Sequence, residues 1–233
     1  MGHSHRPADA PGPTADLRID IVSDAICPWC YIGKRQLERA LALLAADGLT
    51  ASVDWHPFQL NPDMPKQGAD RALFRAAKFG SAERARERDA EVAAAAAGVG
   101  LVFRPDLMAR TPNTLDAHRL VWLAGVHGVQ DAAMEAVFAA YFTQGRDIGD
   151  PAVLADCGAR AGLDRDEVAA FLASDEASAA ILAADRAVRE AGVNGVPSFF
   201  LDGHGLWSGA LRAETMAEAL LKARDILRQR AEA

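Results

Sequence analysis

No stretch of this 233-residue sequence stays apolar long enough to cross a membrane. Its most hydrophobic runs are broken by charges within about 18 residues, short of a spanning helix. Residues 1–16 lack the apolar centre of a secretory signal. They carry two histidines, one arginine, two aspartates and three prolines, and read as a mobile tail. With no export signal, the cytoplasm is the expected location. A basic stripe is also missing and the formal net charge is −7, which argues against nucleic acid as a partner. Cysteine is scarce: three residues, an odd number, build no disulfide framework. No repeat of fixed period is present.

What is there is half hydrophobic, enough for one sizeable core or one core with an insertion. Leu17–Val22 alternates and then turns fully apolar, as a strand does. From Pro28 to about Ala46, Leu37, Leu41 and Leu44 fall at helical spacing, and Asp47-Gly48 stops the helix. Ala51–Phe58 alternates again up to Pro57. From about Asp70 to Glu190 the signal is helical: Asp70–Phe79, Ala82–Ala97, Asn113–His127, Asp131–Gln144, Pro151–Ala161, Arg165–Ala173 and Ser178–Ala191. The end changes character. Ser198–Leu201 reads as a strand, Asp202-Gly203-His204-Gly205 as a hairpin turn, Leu206–Ser208 as a return strand, and Arg212–Arg230 as an amphipathic helix. The order implies a split α/β domain, residues 17–66 and 191–233, holding an all-helical insertion, residues 67–190.

The run Cys27-Pro28-Trp29-Cys30 carries the chemistry. Cysteines three apart at a helix start face the same side, and a small adjustment brings their Cβ atoms to the roughly 3.5–4.5 Å of a disulfide. Pro28 suits the first helical position. Cys27 then falls at the N-cap, where its sulfur is expected to accept from first-turn amides and where the helix dipole favours a thiolate. Cys27 is thus the expected attacking sulfur and Cys30 the resolving one. Trp29 either packs over the helix start or shields the sulfurs and contacts a partner. Zinc would require further ligands, but no second CxxC exists and Cys157 stands alone, so no metal is expected. Cys157 reads as a buried small hydrophobe. His118 is a candidate proton shuttle or a structural hydrogen-bonding residue. Asp24 relays a proton or caps a loop, and Asn113 caps a helix or meets substrate. His56 packs at a strand end. Tyr31 and Lys34 contact ligand or solvent. Glu83–Glu91 is a solvated face with i,i+4 pairs.

These residues resemble the thioredoxin-fold superfamily, in particular the DsbA-like branch with a helical insertion and, within it, the FrnE-like cytoplasmic proteins. The resemblance spans about residues 17–230. It rests on Asp24–Gly33, Trp55–Pro62, Asn113-Thr114 with Ala117–Leu120, Gly195–Phe200 and Ser208-Gly209-Ala210. Leu211-Arg212 departs from the Gln-Pro common there, and a further cysteine pair is missing. The resemblance implies a thioredoxin-like fold and a cis peptide before Pro197 facing the cysteines. It also implies a Val196 backbone that pairs with an extended substrate, with Trp29, Pro28, Asn113 and His118 around it. The implied activity is thiol–disulfide exchange with protein or small-molecule thiols, through a redox-active disulfide and without a resident cofactor, by a monomer or homodimer. Two alternatives stay open. One is a glutathione-dependent isomerase or transferase of the kappa or 2-hydroxychromene-2-carboxylate isomerase type, with glutathione as co-substrate. The other is a non-catalytic redox-sensing accessory protein.

Overall fold

A computed structural model of the protein describes residues 15–232. The tail expected over residues 1–16 therefore lies outside the described residues as far as residue 14. Asp16 belongs to the fold. Its carboxylate accepts from the amide of Thr50 at 3.0 Å and from its hydroxyl at 2.9 Å.

Four strands form the central sheet in the order β2-β1-β5-β6. Strand β1 (Leu17–Ser23) lies between β2 (Ala51–Pro57), to which it runs parallel, and β5 (Ser198–Leu201), to which it runs antiparallel. A strand covered on both faces loses its polar alternation, and Ile21, Val22 and Ser23 are all buried. Strand β6 (His204–Ser208) returns beside β5 through a turn of only two residues. Asp202 (φ 48°) and Gly203 (φ 77°) both take left-handed backbone, the geometry that matches the twist of a tight hairpin. The four-residue turn expected from sequence is shortened because His204 and Gly205 already pair with β5.

Helix α1 (Pro28–Ala46) connects β1 to β2 and packs on the terminal helix α9 (Ala213–Glu232). Between β2 and β5 lie α2 (Arg71–Phe79), α3 (Ala82–Gly98), α4 (Leu115–Val126), α5 (Gln130–Phe138), α6 (Pro151–Arg160), α7 (Arg165–Ala173) and α8 (Ser178–Glu190). Local chemistry sets several starts. Asp70, Ser81, Asp150 and Asp164 each accept from first-turn amides. A short ribbon, β3 (Ala69–Asp70) with β4 (Arg110–Thr111), was not expected; two residues carry no readable period. The single helix expected over Asp131–Gln144 is α5 followed by a π-helical turn, Ala139–Thr143.

The insertion and the sheet share one hydrophobic core. Tyr31 of α1 stacks on Phe138 (5.0 Å between centroids) and on Phe103 (5.8 Å), and Phe103 stacks on Phe142 (4.7 Å). The side-chain amide of Gln130 pairs with the edge of β2 as a strand would. It accepts from the Trp55 amide at 2.8 Å and donates to its carbonyl at 3.1 Å. Arg119, 1% exposed, donates to the carbonyls of Phe171, Ser174 and Glu176, so α4 holds the α7–α8 connection.

Candidate redox site

Strand β1 ends in a buried loop that delivers the cysteines. The amide of Cys27 donates to the Asp24 carbonyl at 3.0 Å, and the amide of Cys30 donates to the Cys27 carbonyl at 3.0 Å. Cys27 is the N-cap of α1, with extended backbone at φ −88° and ψ 113°, and Pro28 opens the helix. No acidic side chain occupies the first turn to compete for the positive end of the helix. The expected capping bond from the sulfur is not made. The Cys27 thiol is turned instead to the Val196 carbonyl, 3.5 Å away. All three cysteines are free thiols.

The two cysteines differ in access. Cys27 lines a cavity of about 440 Å³; Cys30 does not. Cys30 is 1% exposed, and burial together with its neighbour Cys27 pushes its thiol pKa well above the ordinary value. One wall of the cavity is the sequence neighbourhood of the cysteines: Ile26, Pro28, Trp29, Gly195 and Val196. Trp29 is 43% exposed, an aromatic surface at the mouth. The opposite wall is α2 and α3, with Arg71, Phe74, Arg75, Lys78 and Arg88. Asp89 accepts from Arg71 at 2.9 Å and pairs with Arg75 at 2.5 Å, and Glu91 pairs with Arg88 at 2.7 Å, so the four cations of this wall meet two carboxylates. Burial and the neighbouring Arg71 make Arg75 less basic than usual despite Asp89. The cleft is thus apolar at its base and cationic at its far wall.

Pro197 is buried behind this surface, and its peptide bond to Val196 is cis. A Cβ on Gly33 would lie 3.2 Å from Pro197 Cγ, tight enough to push α1 and the proline loop a few tenths of an ångström apart. The Pro197 carbonyl is held by the amide of Gly209 at 2.8 Å. A helix start, a buried cysteine that lines the cleft, one that does not and this proline loop are assembled from both ends of the chain.

The DSBA-like thioredoxin domain matches residues 18–221. The chain belongs to this family. A "probable DsbA oxidoreductase" from Streptomyces coelicolor is 36% identical, with 89% of each chain covered and a TM-score of 0.79. Two structures under 25% identical show the fold alone. One is the cytosolic disulfide reductase DsbM from Pseudomonas aeruginosa with GSH: 20% identity, 93% of this chain, 100% of that one, TM-score 0.60. The other is 2-hydroxychromene-2-carboxylate isomerase: 19% identity, 92% and 98%, TM-score 0.62. The uncharacterised protein YwbO of Bacillus subtilis is 35% identical over 51 residues, 22% of this chain and 23% of that protein. Within this DsbA-like frame, no helix among the described residues is long and apolar enough to cross a membrane.

Not every expected residue joins the DsbA-like cleft. Asn113 does not line it; its amide donates to the Met64 carbonyl at 2.6 Å and its Oδ1 accepts from the Leu115 amide at 2.9 Å. It starts α4 and pins the chain after β2. His118 does not reach the cleft either. It is 2% exposed and faces Asp24, which is fully buried, at 3.3 Å. Tyr31 and Lys34 touch neither ligand space nor solvent. Tyr31 donates to Glu135 at 2.7 Å, and Lys34 pairs with Glu38, Asp131 and Glu135. His56 pairs with Asp20 at 2.7 Å across β1 and β2. The pairs over Glu83–Glu91 are i,i+3, while Asp89 reaches α2. Sequence reasoning missed the α2–α3 wall. Arg71, Phe74, Arg75, Lys78 and Phe79 do recur at helical spacing, but nothing local says what that face meets.

Proposed function

We propose that this protein is a thiol–disulfide oxidoreductase in which Cys27 is the nucleophile and Cys30 the resolving thiol. The observation that carries the reading is the asymmetry of the pair: both cysteines are buried, but Cys27 (4% exposed) lines the cleft at a helix start and Cys30 (1%) does not. A partner disulfide enters along Trp29. The Cys27 thiolate attacks one sulfur and the partner's other sulfur leaves as thiolate. Cys30 then loses its proton and attacks Cys27, so the pair is oxidised and the partner released reduced. Run backwards, the same steps oxidise a partner dithiol. An extended partner chain would pair with the backbone at Val196, whose carbonyl lies 3.5 Å from the Cys27 sulfur.

The cleft's cations and its size also suit a small anionic thiol such as glutathione as co-substrate, with no resident cofactor and no metal. We place the activity in the cytoplasm, on protein or small-molecule thiols, in a monomer or homodimer.

The test is turbidimetric insulin reduction with dithiothreitol. The wild type accelerates precipitation, and Cys27→Ser reduces the rate to the uncatalysed background. Isomerase turnover retained in Cys27→Ser would replace this reading by the glutathione-dependent one. Redox-dependent partner binding without turnover would replace it by an accessory role.

A further inference from the structure

The proposed exchange requires Cys30 to give up a proton, and the cleft offers it no way out, because Cys30 does not line the cavity. A second polar cluster lies behind it. Ser23 and Asp24 lie in the buried loop that leads to the cysteines, where the Asp24 carbonyl accepts from the Cys27 amide at 3.0 Å; burial raises the Cys30 pKa, and the Ser23 hydroxyl and Asp24 backbone pull against it. One oxygen of Asp24, Oδ2, accepts from the Leu60 amide at 2.7 Å. The other, Oδ1, faces His118 Nε2 at 3.3 Å, in contact but out of hydrogen-bond alignment. Ser23 Oγ, Asp24 Oδ1 and His118 Nε2 are all buried without a hydrogen-bond partner. Buried polar atoms are otherwise almost always paired, so three on one run from the Ser23-Asp24 loop to α4 call for an explanation.

The surrounding charges are committed elsewhere. On α8, Asp185 accepts from the Gln59 amide and from Arg189; on β2, His56 holds Asp20; on α4, Asp116 accepts from Arg119. His118 also lines a second cavity of about 30 Å³, with Trp55, Pro57 and Trp122, which shares no lining residue with the redox cleft. That is room for about one water.

We propose that Ser23, Asp24 and His118 form the proton path of Cys30, leading away from the substrate cleft. The proposal rests on the thiol–disulfide reading. In the resolving step the Cys30 S–H bond breaks and its proton passes by Ser23 and Asp24 to the imidazole. The sulfur's electron pair forms the bond to Cys27, and the partner sulfur leaves with the electrons of the bond that breaks. In the reverse direction the proton returns. Imidazole suits the task because one ring nitrogen can accept a proton while the other donates one. His118 acts through Asp24 and not on sulfur, so it is a positioning residue for this step.

Stopped-flow reaction of the reduced full-length protein with 5,5′-dithiobis(2-nitrobenzoate) separates the two steps. The first yellow thiolate marks attack by Cys27, and the second marks resolution by Cys30. In His118→Gln the first phase should stay within about twofold of wild type while the second slows about 100-fold, the scale of lost acid–base assistance. Asp24→Asn should do the same. Gln keeps the size and hydrogen bonding of the imidazole, so a packing role would be rescued by Gln and lost only in His118→Leu. A second phase at wild-type rate in His118→Gln, or both phases slowed together, overturns the proposal. A first phase that survives in Cys27→Ser overturns the thiol–disulfide reading itself.

Discussion

Three cysteines with one side-chain chemistry are given three fates by their surroundings. Cys27 borders the cleft, Cys30 sits behind it, and Cys157 is locked in α6, where burial pushes its pKa up to about 11 and its thiol donates to the Ala136 carbonyl at 3.6 Å. Reactivity follows the thiolate and its access, so one of the three should react. Iodoacetamide at pH 8, followed by mass spectrometry of the reduced protein, should label Cys27 first and leave Cys157 unmodified until the chain is unfolded. Alkylation of native Cys157 at a rate matching Cys27 would contradict this assignment. The place of Cys27 at a helix start was legible because residue spacing and Pro28 both point to one. The direction of its sulfur was not. It depends on Val196, which the chain brings in from 169 residues away.

At the scale of elements, α2 lines the cleft wall and α6 packs against its neighbours. Arg75 shares Asp89 with Arg71 on the cleft wall. Arg75→Ala should raise KM for glutathione disulfide about fivefold, near the 1 kcal/mol of a partly exposed ion pair. It should leave the neutral hydroxyethyl disulfide unchanged; equal effects on both would remove the charge argument. Glycine 158 marks where α6 meets its neighbours. A Cβ there would lie 2.8 Å from Val168 of α7 and 3.2 Å from Leu120 of α4. Gly158→Ala should therefore destabilise by about 1–3 kcal/mol, seen as several degrees of melting temperature by calorimetry. The helices themselves were readable from periodicity and caps, and Arg165–Ala173 and Ser198–Leu201 are found with the bounds expected. The β3–β4 ribbon and the π-helical turn were not, since both depend on contacts rather than local pattern.

At the scale of the whole molecule, the insertion is tied to α1 by charge as well as by the aromatic stack. Lys34, 3% exposed, meets Glu38, Asp131 and Glu135. Burial opposes the charge of Lys34, but Asp131 and Glu38 outweigh it and raise its pKa; burial likewise opposes Glu38, and Lys34 and Arg35 outweigh it and hold its carboxyl low. A raised lysine contributes stability below its ordinary value of 10.5 that fades as pH climbs past the folded value. A depressed carboxyl contributes above its ordinary value of 4.5 and fades as pH falls through the folded one. The urea midpoint should therefore be flat from about pH 6 to 9 and fall below about pH 4.5. Lys34→Met should shrink that acid limb; an unchanged limb would show that the cluster is not its source. The α/β frame with its insertion was legible because strand and helix periods switch cleanly at residues 57 and 198. The cleft was not, because it forms only where α2 and α3 fold over Cys27.

The central claim is a division of labour between sulfurs 27 and 30, and it is tested most directly by trapping. Incubated with a disulfide-containing substrate, Cys30→Ser should accumulate a covalent mixed disulfide, identified by mass spectrometry at Cys27, while Cys27→Ser accumulates none. A mixed disulfide on Cys30 in the Cys27→Ser protein, formed as fast as the one on Cys27, would contradict the account.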